Sequence, residues 1–375
     1  MEDQAAKKYT RTRRILAELS FLAWAAVLLL LCFFRNNVFF RFASHTVQNY
    51  YFGILIYWSF LYVVTSISTL PFGVAQFWVE HRYSISKQSV SSWLTDYTKL
   101  HAIGFITGAA AVEYAYFVIQ RFPSCWWVLF WAGLVGYLTV FALLLPSLVM
   151  PWFARISPLP EGELKDKLSA LAHRAGLASC RLGVLHVAQK TRRANALITG
   201  LGGTRQILLT DTLLENHNAA EIEAITAHEI GHEVLHHIPK RIAILSALYL
   251  VALSAGPLLI SPWVTAISDV TYLPILLLTF RILKVYISLV FVAFARRQEK
   301  SADLFCWHSI EDVNAYISAM KKLNQQNMIT YERGQQWAYG HPALASRIAE
   351  AEKFLAQKSA NAVATSEDVT RLMGW

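Results

Sequence analysis

Residues 219–264 read AAEIEAITAHEIGHEVLHHIPKRIAILSALYLVALSAGPLLISPWV. The first part, Ala219 to His237, has helical spacing and carries charge. The second, 242–264, is apolar over a length that spans a bilayer as helix, for which roughly 20 residues suffice. Further apolar runs of this kind lie at about 15–34, 52–77, 102–120, 126–148 and 272–294. Charged or proline-containing stretches separate them, among them Arg35-Asn36-Asn37, Arg121-Phe122-Pro123 and Ser261-Pro262. The expected fold is an α-helical polytopic membrane protein with about six transmembrane helices.

Composition agrees with that expectation. Hydrophobic residues make up 55% of the 375 and charged residues 16%, against about 25% charged in soluble domains. Mean hydropathy is +0.36. The net charge of +9 comes from Lys and Arg flanking apolar runs, which is a signature of membrane topology; no nucleic-acid partner is implied. Cys32, Cys125, Cys180 and Cys306 are scattered and form no C-x-x-C pair, so neither a disulfide framework nor a cysteine metal site is expected. Lys7, Lys8, Arg11, Arg13 and Arg14 precede the first run. That run is longer than the roughly 7–15-residue core of a cleaved signal, so it reads as a retained span. Basic residues mark cytoplasmic loops. They put the N-terminus, 78–101, 149–241 and 295–375 inside, with Arg35 and Arg41 as exceptions on the outer side.

The organisation read from these runs is a four-span membrane region (1–150), a first soluble part (151–241), a transmembrane hairpin (242–295) and a second soluble part (296–375). In the first soluble part, Glu163 to Ala175 reads as helix and Leu182 to Val187 as strand. Ala196 to Thr199 and Gln206 to Thr210 read as a hairpin turning at Gly200-Leu201-Gly202-Gly203. Asp211 to Glu215 and Ala219 to His237 read as helices. The soluble structure is therefore mostly α with a small β-sheet.

The chemistry concentrates at residues 227–233. His228 and His232 are four apart and share one face of a helix. Two imidazoles so placed can hold one zinc ion, and Glu229 beside them can take a proton from a water that the ion has acidified to a pKa of about 7. A catalytic site needs a third protein ligand. The pattern with a third histidine is excluded, because Leu235 and Ile238 occupy the positions it requires. His236 lies about 12 Å along the helix from His228; it and His237 read as helix-end or cavity-lining residues. The best carboxylate is Glu299, in Arg296-Arg297-Gln298-Glu299-Lys300-Ser301-Ala302-Asp303. Asp303, one turn on, can accept from a ligating imidazole and fix its tautomer. The histidines precede the fifth span and Glu299 follows the sixth, so two crossings return the chain to the same side of the membrane.

These residues resemble the CAAX prenyl protease type 1 family, integral-membrane zinc endopeptidases of the gluzincin class. The resemblance runs through Pro158-Leu159-Pro160-Glu161-Gly162, Asn195-Ala196, 206–214, the 228–232 helix, Glu299 to Asp303, and His341-Pro342 with Arg347. His237 also falls where the family often has a histidine. The resemblance implies a gluzincin metallopeptidase domain acting on a peptide or membrane-associated protein, with Asn195 and Ala196 on an edge strand that binds substrate. It implies that His341 stabilises the oxyanion and that Arg347 orients substrate or its carboxylate. Eukaryotic members have seven spans around a chamber. Six spans and a compact length resemble a bacterial member, which implies the inner membrane with the site facing the cytoplasm. Glu113, Arg281 and Lys284 lie inside apolar runs, where charges face a cavity or a partner; they are expected to line a water-filled chamber. The rival readings are a membrane quality-control protease, an inactive peptide-binding relative, and a transporter or channel with structural zinc. A structural zinc needs a fourth protein ligand, and none is in view.

Overall fold

The computed structural model describes residues 2–33, 49–200, 202–328 and 342–372. Six helices in it are long and apolar enough to cross a membrane. They are α1 (Glu2–Phe33), α2 (Tyr50–Arg82), α3 (Val90–Arg121), α4 (Trp126–Leu144), α8 (His237–Ile260) and α9 (Leu273–Ser309). The fourth ends earlier than its apolar run, because Pro146 and Pro151 lack the N–H that helix continuation needs. The chain passes there through a π turn (Leu145–Val149) and a 3-10 turn (Met150–Trp152). The sixth runs well past its apolar stretch, and its C-terminal third carries Glu299 and Asp303.

The chain divides into two compact units, 1–142 with 240–291 and 143–239 with 292–375. The first contains most of the membrane-spanning helix. Ile54, Trp58 and Leu61 of α2 pack with Val112 and Tyr116 of α3 and Leu273 of α9. A cavity of about 800 Å³ lies in this unit, lined by Gly104, Gly108, Tyr116, Gly133, Leu253 and Leu277 among other residues. Glu113, Arg281 and Lys284, expected to line a water-filled chamber, are not among the residues that line this apolar cavity. Arg281 instead holds its guanidinium 5.9 Å from the ring of Phe21 and 6.0 Å from that of Trp24. An aromatic partner of this kind lowers the cost of a charge within a span.

The second unit is built on a four-stranded sheet with the order β1-β2-β4-β3. The strands are β1 (Arg155–Pro158), β2 (Arg181–His186), β3 (Ala196–Thr199) and β4 (Gln206–Thr210). β3 and β4 form the expected antiparallel hairpin, and Gly200 at its turn has φ +86°. β2 runs parallel to β4 and antiparallel to β1. The helices of this unit are α5 (Glu163–Arg174), α6 (Asp211–Asn216), α7 (Ala219–Val234), α10 (Val313–Asn327) and α11 (Leu344–Leu372). Leu168, Ile207, Leu209, Leu213, Ile225, Ile230, Trp307 and Tyr316 form one continuous core beneath them.

α7 starts at a capping box. Asn218 accepts from the Glu221 N–H while the Glu221 carboxylate accepts from the Asn218 N–H. Glu221 is buried and also accepts from Ser318 at 2.6 Å and from Lys322 at 2.8 Å on α10. The helix expected to run unbroken to His237 stops at Val234. His236 takes a left-handed φ of +54°, and α8 begins at His237.

Candidate metal centre

α7 and the C-terminal third of α9 bring the three expected ligands together. His228 Nε2 lies 3.2 Å from His232 Nε2 and 3.5 Å from Glu299 Oε2. His232 Nε2 lies 3.4 Å from Glu299 Oε1. One ligand atom from each residue falls within 4.8 Å of the others, so the three could hold a metal ion. The two rings are mutually perpendicular. His228 and Glu299 are buried and His232 is half-buried.

The approach of the two helices depends on Gly231, between the histidines. A Cβ there would sit 3.1 Å from the ring of Phe305 and 3.2 Å from both the Cα and the carbonyl oxygen of Ala302. The backbone of α9 therefore passes directly over the glycine. One turn earlier along α9, Glu299 faces the imidazoles.

Asp303 Oδ1 accepts from His228 Nδ1 at 2.9 Å. It is itself gripped by Arg347, with Nε 2.8 Å from Oδ2 and Nη2 2.5 Å from Oδ1. Arg347 is almost fully buried and sits over the ring of Tyr316. The resemblance implies that Arg347 orients substrate or its carboxylate; in the structure it holds the chain's own Asp303. Burial by itself would lower the His228 pKa. The adjoining Asp303 and Glu299 carboxylates outweigh burial and raise it to about 9 in the metal-free chain.

His237, expected as a helix-end or cavity-lining residue, is a direct neighbour of the centre. Its Nδ1 lies 2.7 Å from His232 Nδ1. Glu229, beside His228, is half-buried. Asn195 is exposed and immediately precedes β3, at one edge of the sheet; Ala196 points its methyl into the core. His341 lies outside the described residues.

Comparison with known proteins accords with this architecture. Residues 158–355 match peptidase family M48, and residues 2–155 match the CAAX prenyl protease N-terminal region, described as having five membrane helices. Among the described residues that region holds four long apolar helices. An uncharacterized metalloprotease of Bacillus subtilis is 27% identical over 78% of this chain and 72% of its own length. CAAX prenyl protease 1 of Saccharomyces cerevisiae is 31% identical over 48% of this chain and 41% of its own length, so the match spans less than half of that relative. The crystal structure of S. mikatae Ste24p superposes with a TM-score of 0.78 at 21% identity, covering 93% of this chain and 88% of that one; this likeness is one of fold. The chain belongs to peptidase family M48 and is a membrane metalloprotease. The transporter reading has no support in these comparisons.

Proposed function

We propose that the chain is a zinc endopeptidase whose single ion is held by His228, His232 and Glu299. The observation that carries this reading is the spacing of the three ligand atoms, 3.2, 3.4 and 3.5 Å. Bonds of about 2.0–2.2 Å to a tetrahedral zinc separate neighbouring ligand atoms by about 3.3–3.6 Å. Two imidazole nitrogens and one carboxylate oxygen are also a donor set typical of catalytic zinc, with the fourth position left for water or substrate. When bound, zinc supplies Lewis acidity and makes a water nucleophilic at neutral pH.

The chain's own residues do the rest. A carboxylate oxygen of Glu229 accepts the proton of the attacking water and delivers it to the amine nitrogen of the departing peptide. Asp303 holds the proton on His228 Nδ1, which keeps the Nε2 lone pair turned toward the ion. The edge strand beginning at Asn195-Ala196 receives substrate as an added strand, through main-chain hydrogen bonds. His341 donates to the developing oxyanion, a role that rests on the resemblance.

The substrate class is a membrane-associated protein, and the active site faces the cytoplasm of a bacterial inner membrane. The basic loops 78–101 and 295–297 support that orientation. Two substrate readings remain in play. CAAX-type trimming is supported by the relatives named for it; membrane quality control is the alternative, and the longer match, to an uncharacterized bacterial metalloprotease, carries no substrate name that separates the two. The test compares protein termini in cells carrying wild type or Glu229→Gln. The variant should bind zinc and cleave nothing. Wild-type termini next to a cysteine near the chain end favour CAAX-type trimming, and termini scattered through membrane proteins favour quality control. Identical termini in the two strains would overturn the assignment.

A further inference from the structure

We infer that His237, backed by Ser301, is a positioning residue that aims His232 at the metal. The inference rests on the zinc reading above and concerns the half of the centre that Asp303 does not touch.

His232 Nε2 is the nitrogen that faces the other ligands, at 3.2 Å from His228 Nε2 and 3.4 Å from Glu299 Oε1. Its other nitrogen, Nδ1, lies 2.7 Å from Nδ1 of His237. Two imidazole nitrogens at that separation share one proton. Its owner follows from the far end of the chain of contacts. The main-chain carbonyl of Gln298 can only accept, and Ser301 Oγ donates to it at 2.9 Å. Ser301 Oγ then offers a lone pair to His237 Nε2 at 3.2 Å, so His237 carries its proton on Nε2. His237 Nδ1 is left as an acceptor. His232 Nδ1 must hold the proton, and His232 Nε2 keeps a lone pair for the ion. Each bond in the sequence has one donor.

The two ligating imidazoles are thus oriented by different chemistry. His228 leans on a carboxylate clamped by Arg347, whereas His232 leans on a histidine backed by a serine. Three features make the second support a built one. His237 is 3% exposed. The Gln298 side chain donates to the His237 carbonyl at 3.3 Å. The left-handed turn at His236 redirects the chain. In an unbroken helix a residue five positions on would point about 140° away from His232; the turn brings His237 back onto it.

The test uses the full chain in detergent or nanodiscs and reads zinc affinity by chelator competition. It also records the visible spectrum of the cobalt-substituted protein. His237→Phe keeps the ring volume and removes the acceptor. It should weaken zinc binding about 10–100-fold, the usual effect of removing an outer partner of a ligand, and shift the cobalt band. His237→Asn restores an acceptor oxygen and should recover zinc affinity to within a few-fold of wild type. Ser301→Ala should fall between the two, and it carries the test if His237→Phe does not fold. Unfolding temperatures of the metal-free variants should match. The inference is overturned if His237→Phe binds zinc like wild type, or if His237→Asn loses as much zinc as His237→Phe. A wild-type chain that takes up no zinc would instead overturn the metal reading itself.

Discussion

Arg347 illustrates how a residue's role depends on what it touches. Its guanidinium is bidentate on Asp303, which holds His228; Asp303 and His228 are buried and the Arg347 side chain is only 12% exposed. Removing one member of a buried, hydrogen-bonded ion pair strands the other charge, at about 3–5 kcal/mol. Arg347→Met should therefore destabilise the chain by about that amount and weaken zinc binding on the order of tenfold or more. Thermal unfolding and chelator competition check both. If Arg347 instead met a substrate carboxylate, the variant would raise KM with stability and zinc content unchanged. The grouping of His228, His232, Glu299 and Asp303 was legible because helical spacing puts each group on a definable face. Arg347 was legible as a site residue, but its partner was not. The two lie 44 positions apart, and no periodicity joins them. His237 read only as a helix-end or cavity-lining residue because a regular helix would have turned it away from His232.

Among the elements, α7 is the one on which the centre depends. Its start is locked by Glu221, which is tied to its own cap and to Ser318 and Lys322 of α10. Burial alone would raise the Glu221 pKa, but the hydrogen bonds from Lys322, Ser318 and the Asn218 N–H more than offset it and leave it lowered. A lowered folded-state pKa adds stability at pH above the unfolded value of about 4.3, and that stability is lost as pH falls through the folded value. Glu221→Gln should then be less stable than wild type by about 1–3 kcal/mol near neutral pH. The gap should close as the pH is lowered through 4. Unfolding temperatures of the two proteins between pH 7 and pH 3 measure this; a gap independent of pH would show that the charge on Glu221 does not matter. The hairpin β3–β4 was readable from two β-rich runs flanking glycines. β1 was not, because four residues ending in proline, Arg155-Ile156-Ser157-Pro158, show neither alternation nor an apolar run. The parallel pairing of β2 with β4 was hidden for a related reason: buried strands lack the alternation that would fix register.

For the whole molecule, charge placement yields a topology that labelling can check. With the N-terminus inside, exposed Cys125 between α3 and α4 faces outward, and exposed Lys87 between α2 and α3 faces inward. A membrane-impermeant maleimide should label Cys125 in intact cells. It should label a Lys87→Cys variant of a Cys125→Ser background only after permeabilisation. The reverse pattern would invert the orientation and remove the cytoplasmic assignment of the metal centre.

Chain order and composition were enough to mark the six long apolar helices among the described residues, two histidines on one helix face, and Glu299 as the carboxylate that comes to lie beside them. These follow from hydrophobic length, helical period and the parity of crossings, all of which are properties of contiguous sequence. Tertiary structure alone decided that Arg347 clamps Asp303 and that a left-handed residue sets His237 against His232. Those outcomes join residues from separate elements. Their energies depend on burial and on the direction of each hydrogen bond, and these quantities exist only once the elements have packed.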